Sequence, residues 1–267
     1  MNVLTFLPKK DIEKFIDKDA YLVIEYLLRK VAFSQPEVRN KSELSGIQIT
    51  KEFLEDWIAQ ACNLTKVGAG NYPIDVYSQN KYGIDVKFLT AKINKSGDYT
   101  NSYSNETSLS QNFKIAGLDL DQMFASKRYE NILSAWIKIL ETKINIPIKD
   151  FKLKKIYYFI FIRAGNKVSL AIADVNNKEI KKLTTNRSTD SSVFVQNFIE
   201  DKYGNVKIYK SKKRMELRVF PKKLEEDKKM ISWNFKDLYP DIISLRDVIK
   251  HEEIKEHTKK QFKKFFS

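Results

Sequence analysis

The sequence predicts a mixed α/β (α+β) fold: a mixed central β-sheet flanked by helices, followed by a basic β/α extension. Three observations carry that expectation. Several long segments place apolar residues at three- and four-residue spacing, as amphipathic helices do. Shorter runs alternate apolar and polar residues, or are apolar throughout and rich in Ile, Val, Tyr and Phe, as strands are. A length of 267 residues with 42% hydrophobic content suffices for one large core with an appendage.

In chain order, Asp11 to Phe33 reads as a helix, with Phe15, Ile16, Ile24, Leu27, Leu28 and Val31 on its apolar side. A polar loop from Gln35 to Gly46 follows. Thr50 then has the character of an N-cap for a helix whose stripe is Phe53, Leu54, Trp57, Ile58, Ala61 and Leu64. Ile74 to Tyr77 and Ile84 to Thr90 read as strands joined by a polar turn. Residues 94–112, almost without aliphatic side chains, read as a long loop, and Leu118 to Leu140 as a helix. KKIYYFIFIRAG and KVSLAIAD, joined through Gly165 and Asn166, predict a hairpin of central strands. From Asn176 the composition turns polar and basic. Val193 to Tyr203 is expected as a short helix, VKIYKSKKRMELRVFPKK as a hairpin, and Ile249 to Phe266 as a closing basic helix. These shifts divide the chain into a core over 1–175, including an N-terminal helical segment, and a basic extension over 176–267 packed on it.

Composition narrows the function. Forty-eight Lys and Arg against 34 Asp and Glu give a net charge of +14, which favours a polyanionic partner. One cysteine, Cys62, excludes an internal disulfide and a cysteine zinc cluster. The two histidines, His251 and His257, both fall in the lysine-rich C-terminal stretch, which argues against imidazole-based hydrolysis. No signal peptide, membrane span or Walker-type phosphate loop is visible, so a cytoplasmic protein without a membrane role is expected.

Chemistry concentrates between Gly70 and Lys92. In the strand from Ile84 the period of two sends Ile84, Val86 and Phe88 to one face and Asp85 and Lys87 to the other. If the strand before it pairs as a hairpin, Asp75 falls opposite Asp85, and two carboxylates and an ammonium converge. Carboxylates that close repel unless a cation lies between them, and hard oxygen donors suit Mg²⁺. The acid-x-Lys triplet recurs along the chain, for example at Glu141 and Glu253, so context singles out the one at Asp85. The nearest rival, Asp174 with Glu179 and Lys181, sits in a charged stretch that reads as a solvated turn. Farther on, Lys207, Lys210, Lys212, Lys213, Arg214 and Arg218 alternate with Tyr209 and Leu217, leaving one strand face for the core and one for phosphates.

A helix bearing Glu55, then Pro73 and Asp75 on one strand with Ile74 between them, then Asp85 and Lys87 on the next, resembles the PD-(D/E)XK nuclease superfamily, most like a type II restriction endonuclease. The resemblance spans Thr50 to Ala91 and implies a restriction-endonuclease-like core. It further implies one or two Mg²⁺ ions on Asp75, Asp85 and the Val86 carbonyl, with Glu55 as a second-metal ligand or a support to one. Lys87 would position or help deprotonate the attacking water. The implied protein is a homodimeric, sequence-specific double-stranded DNA endonuclease of a restriction-modification system, encoded near its DNA methyltransferase. Two other readings stay open: a nuclease of repair or phage defence, and a nucleic-acid-binding protein with an inactive nuclease core.

Overall fold

The computed structural model describes residues 1–35, 47–68, 72–94, 96–100, 103–235, 246 and 254–266. The N-terminal helical expectation resolves into two helices, because Asp17 makes a cap of its own. Strand β1 (Leu4–Phe6) precedes α1 (Lys9–Ile12), and α2 (Lys18–Phe33) starts where the Asp17 carboxylate accepts the Ala20 N–H at 2.9 Å. Helix α3 (Lys51–Ala61) begins at Thr50, whose hydroxyl accepts the Phe53 N–H as the cap motif requires. Three strands follow as an antiparallel meander: β2 (Thr65–Lys66), β3 (Val76–Ser78) and β4 (Tyr82–Thr90).

Between β4 and the next central strand the chain departs from its sequence reading. Residues 94–112 contain strand β5 (Tyr103–Ser108) and the start of α4 (Ser110–Ile115), where a loop was expected. The segment expected as one helix from Leu118 divides into α5 (Leu120–Ala125) and α6 (Tyr129–Asp150), with Lys127 between them at φ 54 and Asp119 capping α5. Then β6 (Lys155–Ala164) and β7 (Lys167–Val175) form the predicted hairpin, Gly165 taking φ 58 in the two-residue turn. Strand β8 (Ser188–Thr189) leads to β9 (Ser192–Val195), which stands where a short helix was expected. Its β-branched pair Val193 and Val195 faces inward along β10 (Gly204–Tyr209), so strand pairing prevails over the helical spacing. Strand β11 (Arg214–Val219) completes the predicted basic hairpin, and α7 (Pro221–Glu226), β12 (Ile231–Asn234) and α8 (Ile254–Phe266) finish the described chain. The expected polar loop after Gln35 and the first residues of the closing helix, 249–253, lie outside the described residues.

The central sheet has seven strands in the order β1-β7-β6-β4-β3-β2, with β12 also on β7. Strand β4 pairs in parallel with β6, and the other pairings in this sheet are antiparallel, so the sheet is mixed. Strands β6 and β7 are mostly apolar along their middles because both faces are covered there. On one face Ile84, Val86, Phe159, Phe161 and Leu170 pack against Ile24 and Leu28 of α2, Trp57 and Ile58 of α3, and Phe265 of α8. On the other, Ile160, Ile162 and Ala173 meet Trp136 and Ile144 of α6.

A second sheet, β5-β11-β10-β9-β8, packs on that same side through Val206, Ile208, Leu217 and Val219. Residue 176 therefore does not separate two sheets. Strand β5, from before it, pairs with β11, and β12, from after it, returns to β7. At Gly204 the two backbones of the β10–β11 pair approach so closely that a Cβ would lie 2.1 Å from the Arg218 carbonyl oxygen. No helix among the described residues is long and apolar enough to cross a membrane.

Candidate active site

The register Val76↔Ile84 carries on one step, so Asp75 stands opposite Asp85, as the sequence pattern demands. Its backbone is fixed on both sides: its N–H donates to the Ile84 carbonyl at 2.8 Å, and its own carbonyl accepts the Val67 N–H at 2.8 Å. The side chain then does what a further strand residue would have done. One carboxylate oxygen accepts the Val86 N–H at 2.6 Å, which turns the group along the edge of β4 and holds it there.

Asp85 and Lys87 share the face of β4 that looks toward α6 and the second sheet. Lys87 Nζ lies 2.6 Å from Asp85 Oδ2, and both are deep, with side chains 19% and 8% exposed. Burial drives the Asp85 carboxyl above the usual carboxylate range. Lys87 pulls the other way, and Asp75 adds its repulsion. The parallel register sets Tyr158 of β6 beside Asp85, and its ring lies 5.4 Å from Lys87 Nζ. Burial, with Asp85 nearby, raises the Tyr158 hydroxyl pKa, so it stays a neutral phenol.

Two lysines that the sequence did not single out complete the cluster. Lys51, in the first turn of α3, reaches Glu55 Oε1 at 2.9 Å and Asp75 Oδ1 at 3.2 Å. Burial works against its charge, yet the two carboxylates together raise its pKa. Lys143 of α6 is lowered by burial and then by repulsion from Lys87, with Asp85 partly offsetting both. The only sequence trace of Lys51 was its i,i+4 spacing to Glu55, a pattern common on solvated helices. Lys143 is the lysine of the Glu141 triplet, one of the repeats that context set aside, and only the tertiary fold brings α6 over β4.

Of the acids on α3, Glu55 faces the cluster, joined to Asp75 through Lys51. Glu52 is exposed, and Asp56 pairs with Lys66 at 2.6 Å. Glu55 does not line the cavity in which Asp75 and Asp85 sit; Lys51 stands between. The rival acids are dispersed, Asp174 pairing with Lys155 and Glu179 with Lys182, while Lys181 reaches Glu141.

Asp75, Asp85, Lys87, Lys51, Lys143 and Tyr158 line a cavity of about 210 Å³. Its far wall is Leu109 at the start of α4 and Asn112 within it, Trp136 and Leu140 of α6, Phe198, and Met215 and Leu217 of β11. Among the described residues no three His, Cys, Asp or Glu side chains gather closely enough to hold a metal by themselves.

The basic hairpin alternates as expected, but its cations face away from this cavity. Period two sends Met215 and Leu217 toward the cavity and Arg214, Glu216 and Arg218 to the opposite face, beside Lys207 and Tyr209 of β10, Glu216 itself being buried there. Several of those charges are already engaged. Arg218 makes two bonds to Glu216, at 3.0 and 2.7 Å, and Lys213 pairs with Asp121 at 2.6 Å. Lys207 lies 4.1 Å from the Phe194 ring centroid and Arg214 5.4 Å from that of Tyr209. Lys210 is exposed, and the Lys212 side chain lies outside the described positions. Compared with known proteins, the chain matches no family model, no curated protein and no solved structure.

Proposed function

We propose that this chain is a Mg²⁺-dependent nuclease that hydrolyses phosphodiester bonds in nucleic acid, with Asp75, Asp85 and Lys87 as its catalytic residues. The observation that carries this reading is the convergence of two facing carboxylates and a lysine in one cavity, beside two further lysines. The donor set fits the ion. Asp85 is buried and repelled by Asp75, a conflict that a shared cation relieves. Mg²⁺ commonly takes only one or two carboxylates and completes its shell with water and phosphate oxygens, so a third acid is not required. Asp75 and Asp85 would hold it, with the Val86 carbonyl and Glu55 as the further oxygens that the sequence resemblance implies.

Bound there, Mg²⁺ would polarise the scissile phosphate and lower the pKa of a water. The remaining work falls to the chain. Lys87 Nζ, held by Asp85, donates hydrogen bonds to the attacking water and to the non-bridging oxygen on which charge accumulates. Asp75, locked by the Val86 N–H, keeps its oxygens in place without rearrangement. Lys51 and Lys143 add positive charge where a phosphodiester would enter.

The specific form implied by the resemblance is a homodimeric type II restriction endonuclease on double-stranded DNA, partnered by a DNA methyltransferase. A second form, a nuclease of repair or phage defence, is favoured by how deeply Asp85 and Lys87 are enclosed. The deciding experiment incubates the protein with plasmid, linear duplex and single-stranded DNA, in Mg²⁺ or in EDTA. Cleavage only in Mg²⁺, abolished in Asp75→Asn and Asp85→Asn, is expected, and equal cutting in EDTA refutes the metal mechanism. Binding without cleavage in any condition would instead support an inactive nucleic-acid-binding core. Discrete fragments point to site-specific cutting of duplex, and progressive degradation to the second form.

A further inference from the structure

The cavity holding Asp85 has a mouth, and the mouth leads somewhere. Tyr72, Pro73, Asn112, Ile139 and Lys143 belong both to the cavity and to an adjoining trough of about 570 Å³. Ala116, Lys138 and Ile139 in turn join that trough to a further depression of about 600 Å³, reaching Arg128. One face of α6 forms the floor throughout: Asn131, Ser134, Lys138, Thr142 and Ile146 recur at helical spacing. At about 1.5 Å per residue, the stretch from Arg128 to Ile146 runs about 27 Å. That is room for about eight nucleotides at the 3.4 Å strand spacing of a duplex, and fewer when a strand is extended.

The lining combines the two things an unpaired strand needs. Arg128, Lys138 and Lys143 have no ion-pair partner among the described residues, so their charge is available to phosphates. Asp119, the one acid lining the depression beside Arg128 and Lys138, is committed to capping α5, accepting the Asp121 and Gln122 N–H groups. Ile115 is 79% exposed and Ile146 44% exposed on the trough, apolar surface on which base faces can lie, and the Tyr72 ring stands at the mouth.

A base-paired duplex cannot use this path. Its phosphates lie on the outside of a stiff stack, whereas the carboxylates lie inside a cavity of about 210 Å³ walled by Phe198, Met215 and Leu217. The outward cations Lys207 and Arg218 are on the opposite face of β10 and β11, so a rigid duplex lying against them would not reach Asp85. Resting on the nuclease reading above, we infer that the strand delivered to this site is single-stranded, a free strand or an unpaired tail, laid along α6 between Arg128 and Lys143.

The test separates binding from chemistry. A fluorescein-labelled mixed-sequence oligonucleotide is titrated by anisotropy in EDTA as a single strand, as a blunt duplex and as a duplex with an unpaired tail. The single strand and the tailed duplex should bind at least about tenfold more tightly than the blunt duplex. Arg128→Glu with Lys138→Glu should weaken single-strand binding at least about tenfold and lower its salt slope by ~0.7 for each phosphate no longer neutralised. Ile115→Glu, a change at an exposed position, should weaken it independently. Blunt duplex binding as tightly as the single strand, or single-strand affinity unchanged in all these variants, overturns the inference. The same oligonucleotides in Mg²⁺ report on the nuclease reading alone: retained single-strand preference with no cleavage leaves the trough standing and removes the catalysis.

Discussion

Replacing Lys87 by Met should be costly, and costly in a way that depends on pH. The Lys87 ammonium is 2.6 Å from Asp85 Oδ2, with side chains only 19% and 8% exposed. At an effective dielectric constant near 20, an ion pair of that length is worth about 6 kcal/mol. Removing the lysine also removes its own desolvation penalty, which brings the expected loss to the ~3–5 kcal/mol typical of breaking a buried pair. The carboxylate left behind then sets the pH profile. Burial already holds the folded Asp85 pKa above its unfolded value, and loss of Lys87 moves it higher. An acid shifted upward binds more protons folded than unfolded between those two pKa values. The contribution of Asp85 to stability is therefore fully present below the unfolded pKa, about 3.9, and is lost as pH rises through the folded one. Urea denaturation of wild type and Lys87→Met at pH 5 and pH 8 should show a wider gap at pH 8, and Asp85→Asn placed on top of Lys87→Met should recover most of it. A gap below about 1 kcal/mol, or one equal at both pH values, would mean that Asp85 and Lys87 are not coupled in the buried geometry described.

Lys51→Met removes the cation shared by Glu55 and Asp75; for a partly exposed pair of ionic interactions the metal-free protein should lose about 0.5–2 kcal/mol. Mg²⁺ should restore more stability to this variant than to wild type, and identical Mg²⁺-induced rises in melting temperature would show that Lys51 and the ion do not compete. Glu55→Gln should alter the Mg²⁺ concentration needed for half-maximal cleavage while Glu52→Gln leaves it unchanged, since only Glu55 is joined to Asp75 through Lys51; a larger effect at Glu52 reverses the choice of acid. Neutralising Lys207, Lys210 and Arg218 should flatten the salt dependence of duplex binding by about 0.9 for each phosphate that then goes unneutralised, and an unchanged slope would mark that outward face as solvated surface.

What could be read from sequence was what local rules govern. Thr50 caps α3, and the period of two in β4 separates Val86 from Asp85 and Lys87. The turn at Gly165 joins β6 to β7, and the β10–β11 hairpin alternates inward and outward, each element set by its own residues. What escaped was set by partners distant in the chain. The polar stretch at Tyr103–Ser108 has loop composition and becomes a strand because β11 offers it an edge. The parallel pairing of β4 with β6, which brings Tyr158 beside Asp85, leaves no local trace. Lys51 and Lys143 looked like ordinary helix-surface lysines until the fold placed them over the carboxylates. The helices expected to be continuous broke at Asp17 and at Lys127, where a capping side chain and a left-handed residue outweighed the apolar periodicity.

The pairing of β5 with β11 bears on how the chain comes to fold during its synthesis. Tyr103 to Ser108 emerge from a ribosome with the strand that will receive them, Arg214 to Val219, still unmade roughly a hundred residues later. At ~5–20 residues per second that is a wait of about 5 to 20 s. Throughout it the side of β4 and α6 that β11 covers in the native fold has no second sheet laid over it. The nascent polypeptide thus passes through an interval in which all of the central sheet but β12 can assemble while the side carrying Asp85 and Lys87 lacks the second sheet, and β11 shuts that interval. Slow codons, chaperone engagement or truncation between residues 110 and 214 should therefore affect recovery of native protein more than equal disturbances after residue 219.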